Sequence, residues 1–203
     1  MTLAEWKDAA SIAKDVIVAI AAVVAAVTAI YGINSWRRET RGKAGFESAR
    51  ALMLAAYRVR SEMANCRSPL IVGGEFPPEW DPHSGTPEER FKSYAHVYSN
   101  RWAPVREALV AFDAAVLDAE VLLGQSVSKP VEDLRKCARE VFISIEMYLS
   151  DLRSGRNELD KDFRASLRQQ MHSGGSDDKF GTKIKDAVAA IEAIAKPHVQ
   201  SAR

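Results

Sequence analysis

The sequence has few of the residues on which metal centres and disulfide frameworks depend. It contains two cysteines, Cys66 and Cys137, with no CxxC spacing, and its four histidines are scattered without an HExxH motif. Structural and catalytic zinc sites need several such ligands at short spacing, so the sequence predicts no metal centre. Both cysteines lie in helical patterns, which predicts that they are reduced and buried. A disulfide between them is the alternative.

Motifs for catalysis are also incomplete. Ser126-Val127-Ser128-Lys129 has the SxxK spacing of serine acylases, but the SDN and KTG motifs of that class are missing. Gly73-Gly74 lacks the lysine and hydroxyl residue of a phosphate-binding loop, and no strand pattern precedes it. No sequence motif pairs a candidate nucleophile with a general base. The sequence therefore predicts no catalytic residue, no cofactor and no enzymatic activity.

An overall excess of basic residues is lacking. The net charge is +1, whereas nucleic-acid-binding domains usually carry a clear basic surplus, so no nucleic-acid partner is predicted. The charges are nevertheless unevenly distributed. Residues 37–67 carry eight Lys or Arg against three Glu, and residues 68–90 carry five Asp or Glu against one Arg.

Charged side chains are absent from residues 16–36. At ~1.5 Å rise per residue, a helix of this length spans the ~30 Å hydrocarbon core of a bilayer. A buried core helix would keep a polar stripe, and a cleaved signal peptide would have a shorter apolar core after a basic start. These two are the alternatives to a transmembrane helix over residues 16–36, which we predict. Tyr31 and Trp36 lie toward its end, where aromatic rings favour the headgroup zone.

The flanks of this segment predict its orientation. Five Lys or Arg lie within fifteen residues after it, whereas only Lys7 and Lys14 precede it. The positive-inside rule then places the C-terminal part in the cytoplasm, with residues 1–15 as a short flank on the other side. In the basic juxtamembrane segment, residues 37–45, four side chains are predicted to contact lipid headgroups: Arg37, Arg38, Arg41 and Lys43. The alternative is that they serve only as a topology signal.

Small residues recur along the apolar segment. Ala22, Ala25, Ala29 and Gly32 follow a 3–4–3 spacing, which lets helix backbones approach closely in lipid. This pattern predicts a face for self-association or for pairing with another membrane helix. A merely alanine-rich composition is the alternative.

The rest of the chain is predicted to be all-α, because apolar residues recur at helical spacing and no strand pattern occurs. Residues 46–152 are predicted to form an antiparallel helical bundle with a Pro/Gly-rich loop at 68–87, followed by C-terminal helices and a linker at 153–203. The helices are expected at 44–67, 88–123, 129–152, 157–171 and 182–196. The first would continue from the anchor, with a flexible point at Gly42 or Gly45.

Particular residues predict where these helices begin and end. Thr86 is the expected N-cap of the second helix, Pro104 should kink or divide it, and Gly124 should end it. Asn157 is the expected N-cap of the fourth helix, and Pro197 should stop the last one. The helices at 88–123 and 129–152 are joined by a short connection and should pack antiparallel.

Short motifs after the anchor carry a resemblance. They are Phe46-Glu47-Ser48-Ala49, a Tyr57-to-Arg60 step, and Arg67-Ser68-Pro69 followed by Gly74-Glu75. In these features, over about residues 15–150, the chain resembles a loose group of uncharacterised bacterial and prophage single-span membrane proteins. The resemblance implies a single-span anchor, and with it a location at a bacterial inner membrane. It implies no activity, because the group has none assigned.

Two predictions concern the loop. Arg60 and Arg67 lie seven residues apart on one helix face, and one of them is expected to pair with Glu75 and fold the acidic loop onto the basic helix; the alternative is a ligand site. Phe76 and Trp80 are the candidate contacts for a partner, because aromatic residues on loops often anchor interfaces.

These features favour a membrane-anchored interaction or scaffold protein that presents its bundle to an unknown cytoplasmic protein and self-associates through its anchor. The alternative is a membrane-acting effector of the phage or toxin-like kind, whose oligomers perturb the bilayer. An enzyme is the third hypothesis.

Overall fold

All regular secondary structure in the described part of the chain is helical. The computed structural model describes residues 3–80, 85–155, 159–174 and 177–200, and no strand occurs in those ranges. The five α-helices are α1 (Leu3–Cys66), α2 (Pro87–Leu123), α3 (Ser128–Arg153), α4 (Lys161–Met171) and α5 (Lys179–Gln200). Short 3₁₀ turns lie at Gly73–Glu75 and Gln125–Val127. The prediction of an all-α chain is confirmed.

The chain divides into two compact units, Met1–Ala44 and Gly45–Arg203, and helix α1 contributes to both. In the described residues, one helix is long and apolar enough to cross a membrane by length and composition, with its segment Ile20–Cys66 reaching a mean hydropathy of 1.3. None of its most apolar window is buried. A core helix would have one face covered, so the interpretation as a buried core helix has no support within this chain.

Helix α2 begins as its sequence predicts. The Thr86 hydroxyl accepts a hydrogen bond from the Glu89 amide at 3.2 Å, and the Glu89 carboxylate accepts one from the Thr86 amide at 3.1 Å. This reciprocal capping box satisfies two amides that the helix itself leaves unpaired. Gly124 ends α2 with a φ of 84°, a left-handed conformation that favours glycine. Pro104 lies inside α2 without dividing it, because the helix is held on both sides by packed residues.

Three helix boundaries differ from prediction, since α5 begins at Lys179 rather than at residue 182 and the start of α4 and the end of α5 also differ. Helix α4 begins at Lys161, where the Asp160 carboxylate accepts from the Phe163 amide at 2.8 Å, whereas the predicted cap Asn157 lies outside the described residues. Helix α5 runs through Pro197 to Gln200, so the predicted stop before Pro197 is wrong. Proline removes one hydrogen bond, and an exposed last turn tolerates that loss because water satisfies the freed carbonyl.

The core of the second unit is formed by the C-terminal part of α1 together with α2, α3 and α5. Trp102 contacts Phe142 at 5.2 Å between ring centroids, and Tyr98 contacts Tyr148 at 6.0 Å, so α2 and α3 run in opposite directions. The largest apolar side chains that are fully buried are Leu52, Val59, Met63, Val97, Val105, Phe112, Val116, Leu134, Leu152, Met171 and Ile191. Together with the smaller buried residues they recur every three or four positions, as in Ala49, Leu52, Ala56, Val59, Met63 and Cys66 of α1.

Both cysteines are buried and unpaired. Burial raises the pKa of the Cys66 thiol to about 11, and it raises the pKa of Cys137 as well. Both thiols are therefore protonated at neutral pH, and the prediction of reduced, buried cysteines is confirmed.

Candidate functional site: a groove between α2 and α3 and two arginine clamps

A half-open groove runs between α2 and α3. Its larger cavity, of about 490 Å³, is lined by Phe91 and Trp102 from α2 and by Phe142 from α3. An adjoining cavity of about 280 Å³ shares Trp102 and Phe142 and continues toward Leu109. Phe142 is 40% exposed although it lies on the α3 face that meets α2. The two cavities together form a surface of aromatic rings along the seam of the two helices.

Arginines border this groove. Arg153 lies 5.3 Å from the Phe91 ring and 3.9 Å from Glu88, and Arg135 pairs with Asp113 at 2.7 Å. Arg106 lines the larger cavity and makes no ion pair within the described residues. Aromatic and arginine side chains are enriched where proteins bind one another, because they combine large apolar area with fixed hydrogen-bond geometry. The groove suits an apolar helix that also carries acidic residues.

Sequence reasoning missed this groove. Phe91 and Trp102 belong to the apolar stripe of α2, and Phe142 widens the stripe of α3, so helical periodicity alone predicts that all three are covered where the two helices meet. The structure shows that the stripes are wider than the contact between the helices. The sequence signal for the groove was the breadth of the apolar stripe of α3, where Phe142 follows Val141.

Buried Arg67 ties three segments together. Its side chain, 2% exposed, donates to the Asp178 carboxylate at 2.8 and 3.0 Å and to the carbonyls of Gln169, Gln170 and His172 at 3.1, 2.7 and 3.1 Å. Those carbonyls belong to the C-terminal end of α4, whose partial negative charge favours a cation. The Arg67 carbonyl also accepts from the Ser173 amide at 2.7 Å. Arg67 therefore connects the end of α1 to the end of α4 and the start of α5.

Asp178 has a second role in this clamp. Its carboxylate accepts from the Gly181 amide at 2.8 Å and so caps α5. A Cβ atom at Gly181 would overlap the same carboxylate, so glycine is required there for close approach. Asp178 lies between the helices predicted at 157–171 and 182–196, where the sequence predicted a linker, so for Asp178 that prediction was wrong.

Arg101 on α2 holds the loop. Its guanidinium donates to the Glu75 carboxylate at 2.5 and 2.8 Å, to the Ser68 carbonyl at 2.7 Å and to the Leu70 carbonyl at 2.6 Å. The prediction that Arg60 or Arg67 pairs with Glu75 is therefore wrong. Arg67 is engaged by Asp178, and Arg60 lies over the Tyr57 ring at 5.0 Å. The loop does fold back, but onto α2.

The loop aromatics pack on each other and on α2. Phe76 stacks on Trp80 with ring centroids 3.9 Å apart, and it meets Tyr94 edge-on at 5.5 Å. Both side chains are half-buried. Their predicted role as partner contacts stays a prediction, and part of their surface is already used within the chain.

The predicted membrane residues all lie on exposed parts of α1. Ala22, Ala25, Ala29 and Gly32 are exposed, as are Arg37, Arg38 and Arg41. Lys43 is also exposed and donates to Glu39 at 2.7 Å. Their association with another helix and with headgroups stays a prediction. Among the residues that the structure describes, no three His, Cys, Asp or Glu side chains cluster as metal ligands would.

Acid is expected to destabilise the second unit. Arg101 lowers the pKa of Glu75, and Arg67 lowers the pKa of Asp178. Burial, together with nearby arginines, lowers the pKa of His172. In each case the unfolded chain binds more protons, so the free energy of unfolding should fall as the pH drops, first below about 6.5 for the histidine and again below about 4 for the carboxylates. Unfolding of the full chain in detergent from pH 7 to pH 3 measures this; a stability that rises on acidification would contradict it.

No protein-family model, no curated protein and no solved structure matches the chain at a significant level. The resemblance to single-span bacterial and prophage proteins accordingly stays a prediction.

Proposed function

We propose that this protein is a membrane-anchored interaction protein whose groove between α2 and α3 binds a helix of a partner. The observation that carries the proposal is the groove itself, whose aromatic rings stay open along a helix seam and are bordered by arginines. Interfaces of this kind gain most of their affinity from a few aromatic and arginine anchors. The bound helix would fill the cavity with an apolar side chain and place acidic residues near Arg106.

The anchor in this proposal is the apolar part of α1. Its exposed side chains include Val23 at 62% and Ile30 at 59%, and so much contiguous apolar surface is unfavourable in water. Placing the anchor in a bacterial inner membrane, with the body in the cytoplasm and basic residues 37–45 at anionic headgroups, satisfies both the hydrophobic effect and the positive-inside rule.

The charge change Arg106→Glu tests the groove. Arg106 is exposed and unpaired within the described residues, so the fold should be unaffected, while capture of the partner should fall at least about tenfold, a cost of ~1.4 kcal/mol. The measurement is affinity purification of the full chain from detergent-solubilised membranes, with mass spectrometry of the captured proteins. Arg58→Glu on α1 makes the same charge change at an exposed site outside the groove and serves as the control.

Equal capture by both variants would contradict the role of the groove. A chain that appears in the soluble fraction without detergent would contradict the anchor. Permeabilised cells on expression of the full chain, with no captured protein, would instead favour the membrane-acting effector.

A further inference from the structure

Helix α2 carries a second apolar stripe that faces away from the core. Val110, Leu117 and Val121 are 67%, 66% and 83% exposed, and exposed Ala114 completes a 4–3–4 spacing. On the opposite side of the same helix turns, Phe112, Val116 and Ala119 are at most 1% exposed. Outward faces of helices in globular proteins are usually polar. A heptad spacing of this kind is typical of a face that packs against other helices.

Acidic residues border this outer stripe. Glu107 and Asp118 lie on one flank of the stripe, are exposed and make no ion pair within the described residues. In an antiparallel stripe-to-stripe contact the acidic flanks of the two copies would meet, which disfavours that symmetric arrangement.

The groove between α2 and α3 is chemically complementary to the outer stripe. It offers aromatic rings where the outer stripe offers aliphatic side chains. Three of its four arginines are paired: Arg135 with Asp113 at 2.7 Å, Arg139 with Glu132 at 3.6 Å and Arg153 with Glu88 at 3.9 Å. Arg106 makes no ion pair within the described residues, so it is the lining cation that can meet an acidic residue of the occupant. An apolar helix face bordered by acidic residues is the ligand that this groove fits best, and the chain itself carries such a face.

We propose that the outer stripe of one copy of this chain docks in the groove of a second copy. The inference rests on the proposed function, because it names the occupant of the groove. The contact joins two different surfaces, so it closes into a dimer when it is reciprocal and otherwise continues into a ring or a row. Copies anchored in the same membrane would meet at raised effective concentration, which favours such a contact even when it is weak.

A charge swap tests the proposal. The groove variant is Arg106→Glu with Arg139→Glu, and the stripe variant is Glu107→Arg with Asp118→Arg; all four side chains are exposed. Full-length chains with two different affinity tags are co-expressed and solubilised in mild detergent, and capture of one tag through the other is measured. Wild type should capture itself. Each variant alone should lose at least about tenfold of that capture, and mixing the two variants should restore it, because an acidic groove then meets a basic stripe.

Three results would overturn the inference. If both variants still capture themselves like wild type, association lies elsewhere, for instance along the small residues of the anchor. If mixing the two variants does not restore capture, the stripe does not occupy the groove. A third result is that wild type does not capture itself but captures a different protein, and that the Arg106→Glu variant no longer captures it. The occupant of the groove is then that other protein, and the proposed function stands without this inference. Leu117→Asp, which leaves the groove intact, should abolish self-capture without reducing capture of another partner.

Discussion

Replacing Arg67 with methionine is expected to lower the free energy of unfolding by about 3–5 kcal/mol. The change removes a buried charged donor from three carbonyls at the end of α4 and from the half-buried Asp178 carboxylate, which keeps only the Gly181 amide. The Arg67 guanidinium is 2% exposed and serves Asp178 together with the carbonyls that end α4. Methionine fills much of the same volume, so the loss reflects hydrogen bonds and charge rather than a cavity. The measurement is denaturant unfolding of the full chain in mild detergent, followed by tryptophan fluorescence.

Arg60→Met is the matched control for Arg67. Arg60 belongs to the same helix face, but it is exposed, lies over the Tyr57 ring and makes no ion pair within 4 Å in the described residues, so its loss should cost less than about 1 kcal/mol. Gly181→Ala provides an independent variant, since a Cβ atom there would displace the Asp178 carboxylate. If Arg67→Met and Gly181→Ala weaken the same clamp, their effects should be less than additive. Equal effects of Arg67→Met and Arg60→Met would show that the clamp does not stabilise the fold.

Replacing Arg101 with methionine is expected to release the loop and to cost about 2–3 kcal/mol, because Glu75 and the carbonyls of Ser68 and Leu70 lose a shared charged donor. The remaining contacts of the loop with the body are apolar and partial, at Ile71 and at Phe76 against Tyr94, so Arg101 is the polar side chain that fixes the loop backbone. Limited proteolysis should therefore cut residues 68–80 much faster in the variant than in wild type. Helices α2 and α3 should resist cleavage equally in both.

A double-mutant cycle identifies the partner of Glu75. Glu75→Gln combined with Arg101→Met should show a coupling energy of about 1–3 kcal/mol, because the two side chains share two hydrogen bonds. The same glutamine combined with Arg60→Met should show coupling near zero. Coupling of Glu75 to Arg60 instead of Arg101 would overturn the arrangement described above.

The two clamps explain why one part of the structure was predictable and another was not. Helix α2 was predicted with its cap, its proline and its final glycine, because each depends on residues within one turn of the boundary. Arg101 and Asp178 bind residues that are far away in the sequence, and the sequence around each of them does not identify its partner. Charge pattern suggested that a basic helix holds an acidic loop, but several arginines met that description equally well.

The groove was hidden for a related reason. Periodicity places Trp102 and Phe142 on the core-facing side of their helices, and it does so correctly. It does not reveal how closely two helices approach, and that distance decides whether a ring at the edge is covered or stays open. The outer stripe of α2 was equally hard to recognise from the sequence. Apolar and small residues occur on several faces of this helix, so periodicity does not single out one exposed stripe.

The sequence by itself determined that this chain is helical, where most of its helices begin and end, and that one segment is long and apolar enough for a bilayer, because backbone hydrogen bonding and hydrophobic periodicity are local properties. The tertiary structure alone decided which arginine holds which acid, that Asp178 is a cap rather than a linker residue, and that aromatic rings remain open between α2 and α3. Those outcomes depend on contacts between segments as much as a hundred residues apart, and only the packing of the whole unit selects them.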